Sequence, residues 1–310
     1  MQHNRQWKSL WCLSMWRLIL LPLAFLFSGC SGSQPAFMVD HQLAIAEQTP
    51  HLHSEQETMI ARISQILQVG HLNEKKLTNK ERAALHFERG ILYDNLGLWT
   101  LARYDFLQAL DELQPRVTAL YNYLGVSLLL SEDYDNALEA FNIALTLNPK
   151  DANSLFNRGI DFYYMGRYTL AEKDLSEFYQ VDTSDPYRVL WLYLNELEIN
   201  PENAKQQLKQ RSLALADDKW GSYIVQYYLG QLSVAELQQK GITFAKEHAI
   251  PYAEILTETY FYLAKQQLNL GQKEKAETLF KLTIANQVYN FVEYRFAVLE
   301  LAKLKQAKVQ

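Results

Sequence analysis

Few residues in this 310-residue chain combine the type and spacing that chemistry requires. No HExxH, GxSxG, CxxC or phosphate-cradling glycine loop occurs anywhere in it. His41, His51 and His53 include a His-x-His pair, but it lies in a mixed polar tract with no cysteine beside it. Such a pair is solvated, so neither a metal nor any other cofactor is expected. Asp217-Asp218 falls in a loop and reads as solvated too. Glu57, Glu81 and Glu236 each stand three places after Ser54, Thr78 and Ser233, the spacing of a helix capping box. Helix caps account for these acids without catalysis. That leaves two cysteines, Cys12 and Cys30.

The surroundings of Cys30 point to export. Arg5, Lys8 and Arg17 precede an apolar run over residues 18–27, broken only by Pro22. The run is too short to cross a bilayer core, which takes roughly 20 apolar residues, and it reads as the core of a secretory signal. Met15 begins a second, tidier signal. The run ends on Ser28-Gly29-Cys30, which resembles a bacterial lipobox with Phe27 where Leu is usual. Cleavage there removes Cys12 and leaves Cys30 as an acylated N-terminus. A mature exported chain with one cysteine forms no internal disulfide, and acylation gives that thiol a role. Two or three acyl chains hold a protein stably on a membrane, whereas one does so only marginally. Ser31 next to the cysteine favours the outer membrane, facing the periplasm.

Composition narrows the rest. Hydrophobic residues make up 48% and charged residues 21%, which is a folded chain. Twelve Gly and eight Pro are too few for a turn-dense β-sandwich. The net charge of −5 and the lack of a basic run argue against nucleic acid, and none is expected as a partner, because phosphate binding needs clustered Lys and Arg.

The fold is set by a repeat. Gly90, Gly125 and Gly159 are spaced 35 and 34 residues apart, the period of a tetratricopeptide repeat. Ala102, Ala137 and Ala171 follow in register, then Phe106, Phe141 and Leu175. Tyr93, Leu128 and Phe162 match as well, and Pro115, Pro149 and Pro186 close the units. Ala109 and Ala144 are answered by Phe178, a departure in the third copy. Two helices approach closely only where small residues meet at the crossing, and these Gly and Ala positions supply that meeting. The expected class is all-α: a tetratricopeptide-repeat solenoid with extra helices at both ends. The expected divisions are a signal at 1–29, a lipidated tether at 30–53 and a leading helix at 54–76. Repeats at 77–186 follow, then degenerate hairpins at 187–250 and a C-terminal repeat with a closing helix at 251–310. The fourth copy rests on Tyr260, Leu263, Ala264, Gly271, Ala276 and Phe280. The closing helix shows Phe291, Tyr294, Val298, Leu301 and Leu304 on one side.

Two surfaces are candidates for binding. The first helix of each repeat lines a concave track: Phe87, Ile91, Asp94 and Asn95, then Asn122, Val126, Leu129 and Leu130, then Asn153, Phe156, Ile160, Tyr163 and Tyr164. Aromatic anchors with interspersed amides suit a peptide, although the chain's own tail or a second protomer is an alternative cover. In the leading helix, Met59, Ile60, Ile63, Ile66 and Leu67 form an apolar stripe for a cap in cis or a homodimer contact.

Longer strings go beyond generic repeat positions. They include Arg89-Gly90, Tyr93-Asp94, Leu101-Ala102-Arg103, Asn157-Arg158-Gly159-Ile160, Leu190-Trp191-Leu192-Tyr193-Leu194 and Asn290-Phe291-Val292-Glu293. In these the chain resembles the NlpI family of outer-membrane lipoproteins, from about residue 57 to 301. The resemblance implies an anchored homodimeric periplasmic adaptor without enzyme activity. It implies that such an adaptor binds peptidoglycan endopeptidases and presents one to a tail-specific PDZ protease, which regulates cell-wall turnover and cell division. A pilot lipoprotein for an outer-membrane channel or pilus secretin is the alternative within this class. A cell-wall enzyme is the alternative outside it.

Overall fold

The computed structural model describes residues 54–69, 76–112 and 117–308. The signal, Cys30, the tether and Pro115 lie outside them. The described residues form helices and turns with no strand. The helices are α1 (Ser54–Val69), α2 (Asn79–Asn95), α3 (Trp99–Glu112), α4 (Thr118–Leu129), α5 (Tyr134–Leu147), α6 (Ala152–Tyr164) and α7 (Tyr168–Val181). There follow α8 (Pro186–Ile199), α9 (Pro201–Arg211), α10 (Trp220–Tyr228), α11 (Val234–Glu247), α12 (Tyr252–Asn269), α13 (Lys273–Ala285) and α14 (Val292–Gln306). This is a helical repeat solenoid.

The crossings are as tight as the Gly and Ala spacing requires. A Cβ on Gly125 would lie 2.5 Å from the Phe141 ring, and one on Gly90 2.6 Å from Phe106. Ala102, Ala137 and Ala171 on the facing helices are fully buried. An ion pair recurs at the same register in the first and third repeats. Arg89 grips Asp105 through Nε and Nη2 at 2.6 and 2.8 Å, and Arg158 grips Asp174 at 2.6 and 2.9 Å. Bidentate pairs of this kind fix orientation as well as energy. The fourth copy forms on α12 and α13, with Tyr260, Leu263, Ala264, Ala276 and Phe280 all buried.

Helix starts follow local chemistry. Thr78 with Glu81, and Ser233 with Glu236, make reciprocal capping boxes. Asn200 caps α9 by accepting from the Asn203 N–H at 3.1 Å. Ser54, in contrast, lies inside α1, where its carbonyl accepts from Thr58 Oγ1. Pro186 opens α8 rather than closing the third unit, a position where the missing N–H costs nothing.

One expected face is right only in part: Leu304 is buried and Leu301 packs on the core. Helix α14 buries Glu293, Phe296, Ala297, Leu299, Glu300 and Leu304, while Tyr294, Val298 and Leu301 are half-buried. Hydropathy alone turns the two glutamates outward. The helix is instead enclosed between α13 and the concave face, and protein partners hold both carboxylates: Tyr262 Oη donates to Glu293 at 3.0 Å, and Lys265 Nζ to Glu300 at 2.5 Å. Trp191 of α8 sits at the centre of this region, 2% exposed, with the rings of Phe156, Tyr163, Phe261 and Phe296 around it.

Candidate binding cleft

Because α14 crosses the concave side, the expected track is divided. Part of it stays open as a cleft of ≈ 680 Å³ whose walls include Asn122, Val126, Asn153 and Phe156. The Asn157 amide donates to Asn122 Oδ1 at 3.0 Å, linking neighbouring repeats. Asn153 is exposed. Asn95 lines a separate hollow of ≈ 220 Å³ with Gln56, Glu254 and the segment 287–290.

The remaining track residues serve the protein's own packing. Leu129 and Ile160 are buried to 1% and 0% exposure, and Leu130 packs half-buried on the main core. Phe87 and Ile91 belong to a small cluster around Phe106 and Leu120. Asp94 accepts from Arg295 Nη2 at 2.7 Å. Burial pushes its carboxyl above the ordinary range, with Arg295 opposing. Tyr163 and Tyr164 lie outside this cleft and line a separate hollow of ≈ 230 Å³ with Glu198, Lys265 and Lys303. Lys265 donates to Tyr163 Oη at 3.0 Å, while Tyr164 donates to Glu300 at 3.1 Å and stacks on Phe296. Burial raises both phenols.

Residues that the repeat pattern did not flag complete the cleft: Asp185, Tyr187, Arg188, Trp191, Glu258, Asn290, Glu293 and Arg295. Tyr187 Oη accepts from the Gly221 N–H at 3.2 Å and donates to Glu258 at 2.6 Å. Burial holds the Glu258 carboxyl well above the usual range, and the neighbouring Glu293 charge adds to that rise. Glu293 is raised by burial as well. A sequence signal for Glu258 did exist. It is the lone charged residue in the stretch from Ile255 to Leu263, whose other positions are apolar, aromatic or threonine and are all buried. The departure at Phe178 also has its reason here. Its ring packs on Phe156 at 4.7 Å, carries the Arg188 guanidinium at 3.9 Å, and faces the cleft.

The leading helix divides its stripe. Ile63 is buried, and Arg89 donates to Ser64 at 2.8 Å, which fastens α1 to the first repeat in cis. Met59 and Ile66 remain exposed at 41% and 46%, with Ile60 and Leu67 half-buried. Among the described residues no group of His, Cys, Asp and Glu could hold a metal ion, and no helix is long and apolar enough to cross a membrane.

A solenoid of this kind with an aromatic and amide cleft belongs to the tetratricopeptide-repeat class of adaptors and scaffolds. A tetratricopeptide-repeat family model matches residues 118–151, the hairpin of α4 and α5. The chain is 56% identical over 293 residues to the lipoprotein NlpI homolog of Haemophilus influenzae, spanning 94% of this chain and 91% of that protein. It belongs to the NlpI lipoprotein family. Among solved structures, MamA is similar over 54% of this chain and 96% of its own, at 16% identity and a TM-score of 0.44. A tetratricopeptide repeat protein from Parabacteroides merdae is similar over 80% and 98%, again at 16% identity and 0.44. Neither likeness bears on function.

Proposed function

We propose that this chain is a lipid-anchored adaptor at the outer membrane, facing the periplasm, that holds protein partners in the cleft and has no catalysis of its own. Acylated Cys30 is the anchor, and Met59 and Ile66 on α1 contribute to a homodimer contact. The partners are peptidoglycan endopeptidases and a tail-specific PDZ protease. By holding one hydrolase near the protease, the adaptor sets hydrolase turnover and so regulates cell-wall growth and division. The observation that carries this reading is the cleft itself. Its ≈ 680 Å³ lie along the concave side, walled by rings and amides of the sort that bind peptides, in a chain of a lipoprotein family.

The test is affinity capture of the full chain from envelope extract, with a parallel incubation of purified protein with peptidoglycan. Recovery of an endopeptidase together with a tail-specific protease, and intact peptidoglycan, is expected. Capture of a secretin would replace this reading with that of a pilot lipoprotein. Cleavage of peptidoglycan by the purified chain would overturn the adaptor assignment.

A further inference from the structure

The cleft carries an electrostatic imbalance at one place. Glu258 and Glu293 both line it, and the side chain that holds each is a tyrosine, Tyr187 donating at 2.6 Å and Tyr262 at 3.0 Å. Among the described residues neither has a Lys or Arg within ion-pair distance. Elsewhere Asp94 pairs with Arg295, Glu196 with Arg211 and Glu300 with Lys265, whereas Asp161, which does not line the cleft, is buried with both carboxylate oxygens unpartnered. The two arginines on the cleft wall are already committed. Arg295 serves Asp94 and the Tyr289 carbonyl. Arg188 lies over the Phe178 ring, donates to the Phe178 carbonyl and stands 3.5 Å from Asp185.

Two adjacent carboxylates in a low-dielectric pocket disfavour each other's charge, and a cation placed between them relieves both. A bare metal ion is a poor fit, since no third acid, histidine or cysteine converges there among the described residues. The cleft is also far larger than one ion needs. Resting on the adaptor reading above, we propose that the cleft recognises an extended peptide through one basic side chain, a lysine or arginine, whose charged head sits between Glu258 and Glu293. The aliphatic stem lies against the aromatic wall that includes Phe156 and Phe296, and the exposed Asn153 amide meets the peptide backbone. Long basic side chains combine such a stem and head.

The test selects short peptides from a random display library on the full chain. One selected peptide and its norleucine counterpart at the basic position are then measured by fluorescence anisotropy. The protein is used as wild type, Glu258→Gln and Glu258→Gln/Glu293→Gln. Selected peptides are expected to share one Lys or Arg. The norleucine peptide should bind wild type ~30-fold or more weakly, as for loss of one partner of a buried charge pair. In the double variant the two peptides should bind alike. Should Glu293→Gln unfold the protein, the single Glu258→Gln variant decides by shrinking the same difference. If the norleucine penalty persists in the Gln variants, or if the selected peptides lack a shared basic residue yet are blocked by Asn153→Arg, the basic-anchor proposal is wrong while the groove reading stands. If Asn153→Arg blocks no selected peptide, or none is selected, the groove reading falls and the proposal with it.

Discussion

Arg295 of the last helix donates through Nη2 to Asp94 Oδ2 of the first repeat at 2.7 Å, across 201 positions of sequence. In an open solenoid each repeat touches only its neighbours. Here the C-terminal region returns to the start. Near this pair, Tyr289 lies 2.8 Å from where a Cβ on Gly97 would stand, at a backbone φ of +71°, so the turn needs glycine for both conformation and space. The Trp99 and Tyr294 rings meet edge-on at 6.3 Å. Arg295→Ala leaves Asp94 buried without its cation and should cost about 3–5 kcal/mol. Urea unfolding of Arg295→Ala, alone and with Asp94→Asn, checks this. The double variant should recover part of the loss, and equal losses in both would show that the pair is not the closure.

The crossing at Gly125 gives a packing prediction. With the Phe141 ring 2.5 Å from where a Cβ would stand, Gly125→Leu must part α4 and α5, and overpacking costs about 1–3 kcal/mol or more. Thermal melting by circular dichroism should show a clear drop in Tm with helicity retained at low temperature.

Asp161 predicts a pH dependence. It is fully buried with both carboxylate oxygens unpartnered. Burial, with the Asp135 charge adding and Arg167 opposing, pushes its carboxyl up to about 7 from 3.8. The folded state therefore keeps a proton that the unfolded chain has released, and stability falls as pH rises from about 4 through about 7. Asp161→Asn should remove that slope and stabilise the protein above pH 7 by about 1–3 kcal/mol. Tm measured at pH 5 and pH 8 in both proteins is the check. A wild-type stability that rises over that interval, with Asp161→Asn rising in parallel, would contradict the assignment.

The proposed anchor is acylated Cys30. Cys30→Ser should leave melting unchanged but block processing or release the protein from the outer-membrane fraction. Membrane fractionation and the mass of the mature chain give the answer directly.

The helical hairpins were legible in the sequence because Gly90, Gly125, Gly159 and their alanine partners repeat with one period, and local caps such as Ser233–Glu236 mark where helices begin. The open cleft was legible only in part. Asn122, Val126, Asn153 and Phe156 follow from their place on the first helix of each repeat, a short-range property. Whether such a face stays open depends on what crosses it, and α14 arrives from the far end of the chain. For that reason Tyr163 and Tyr164, read as outward, are spent on Lys265, Glu300 and Phe296. Glu293 owes its burial to the same long-range packing, whereas Glu258 stands out in the sequence as the lone charge between Ile255 and Leu263. The exception at Phe178 was visible as a departure from the repeat, and only the fold gives it a purpose.

If protein partners bind in the cleft, site-specific photocrosslinking in intact envelopes will capture them there. A photoreactive residue would replace the exposed Asn153 on the cleft wall, with a matched control replacing the exposed Glu139 on α5. Crosslinks from position 153 to a peptidoglycan endopeptidase or a tail-specific protease, and none from position 139, are expected. Partner crosslinks confined to position 139, with position 153 silent in a folded protein, would contradict binding in the cleft.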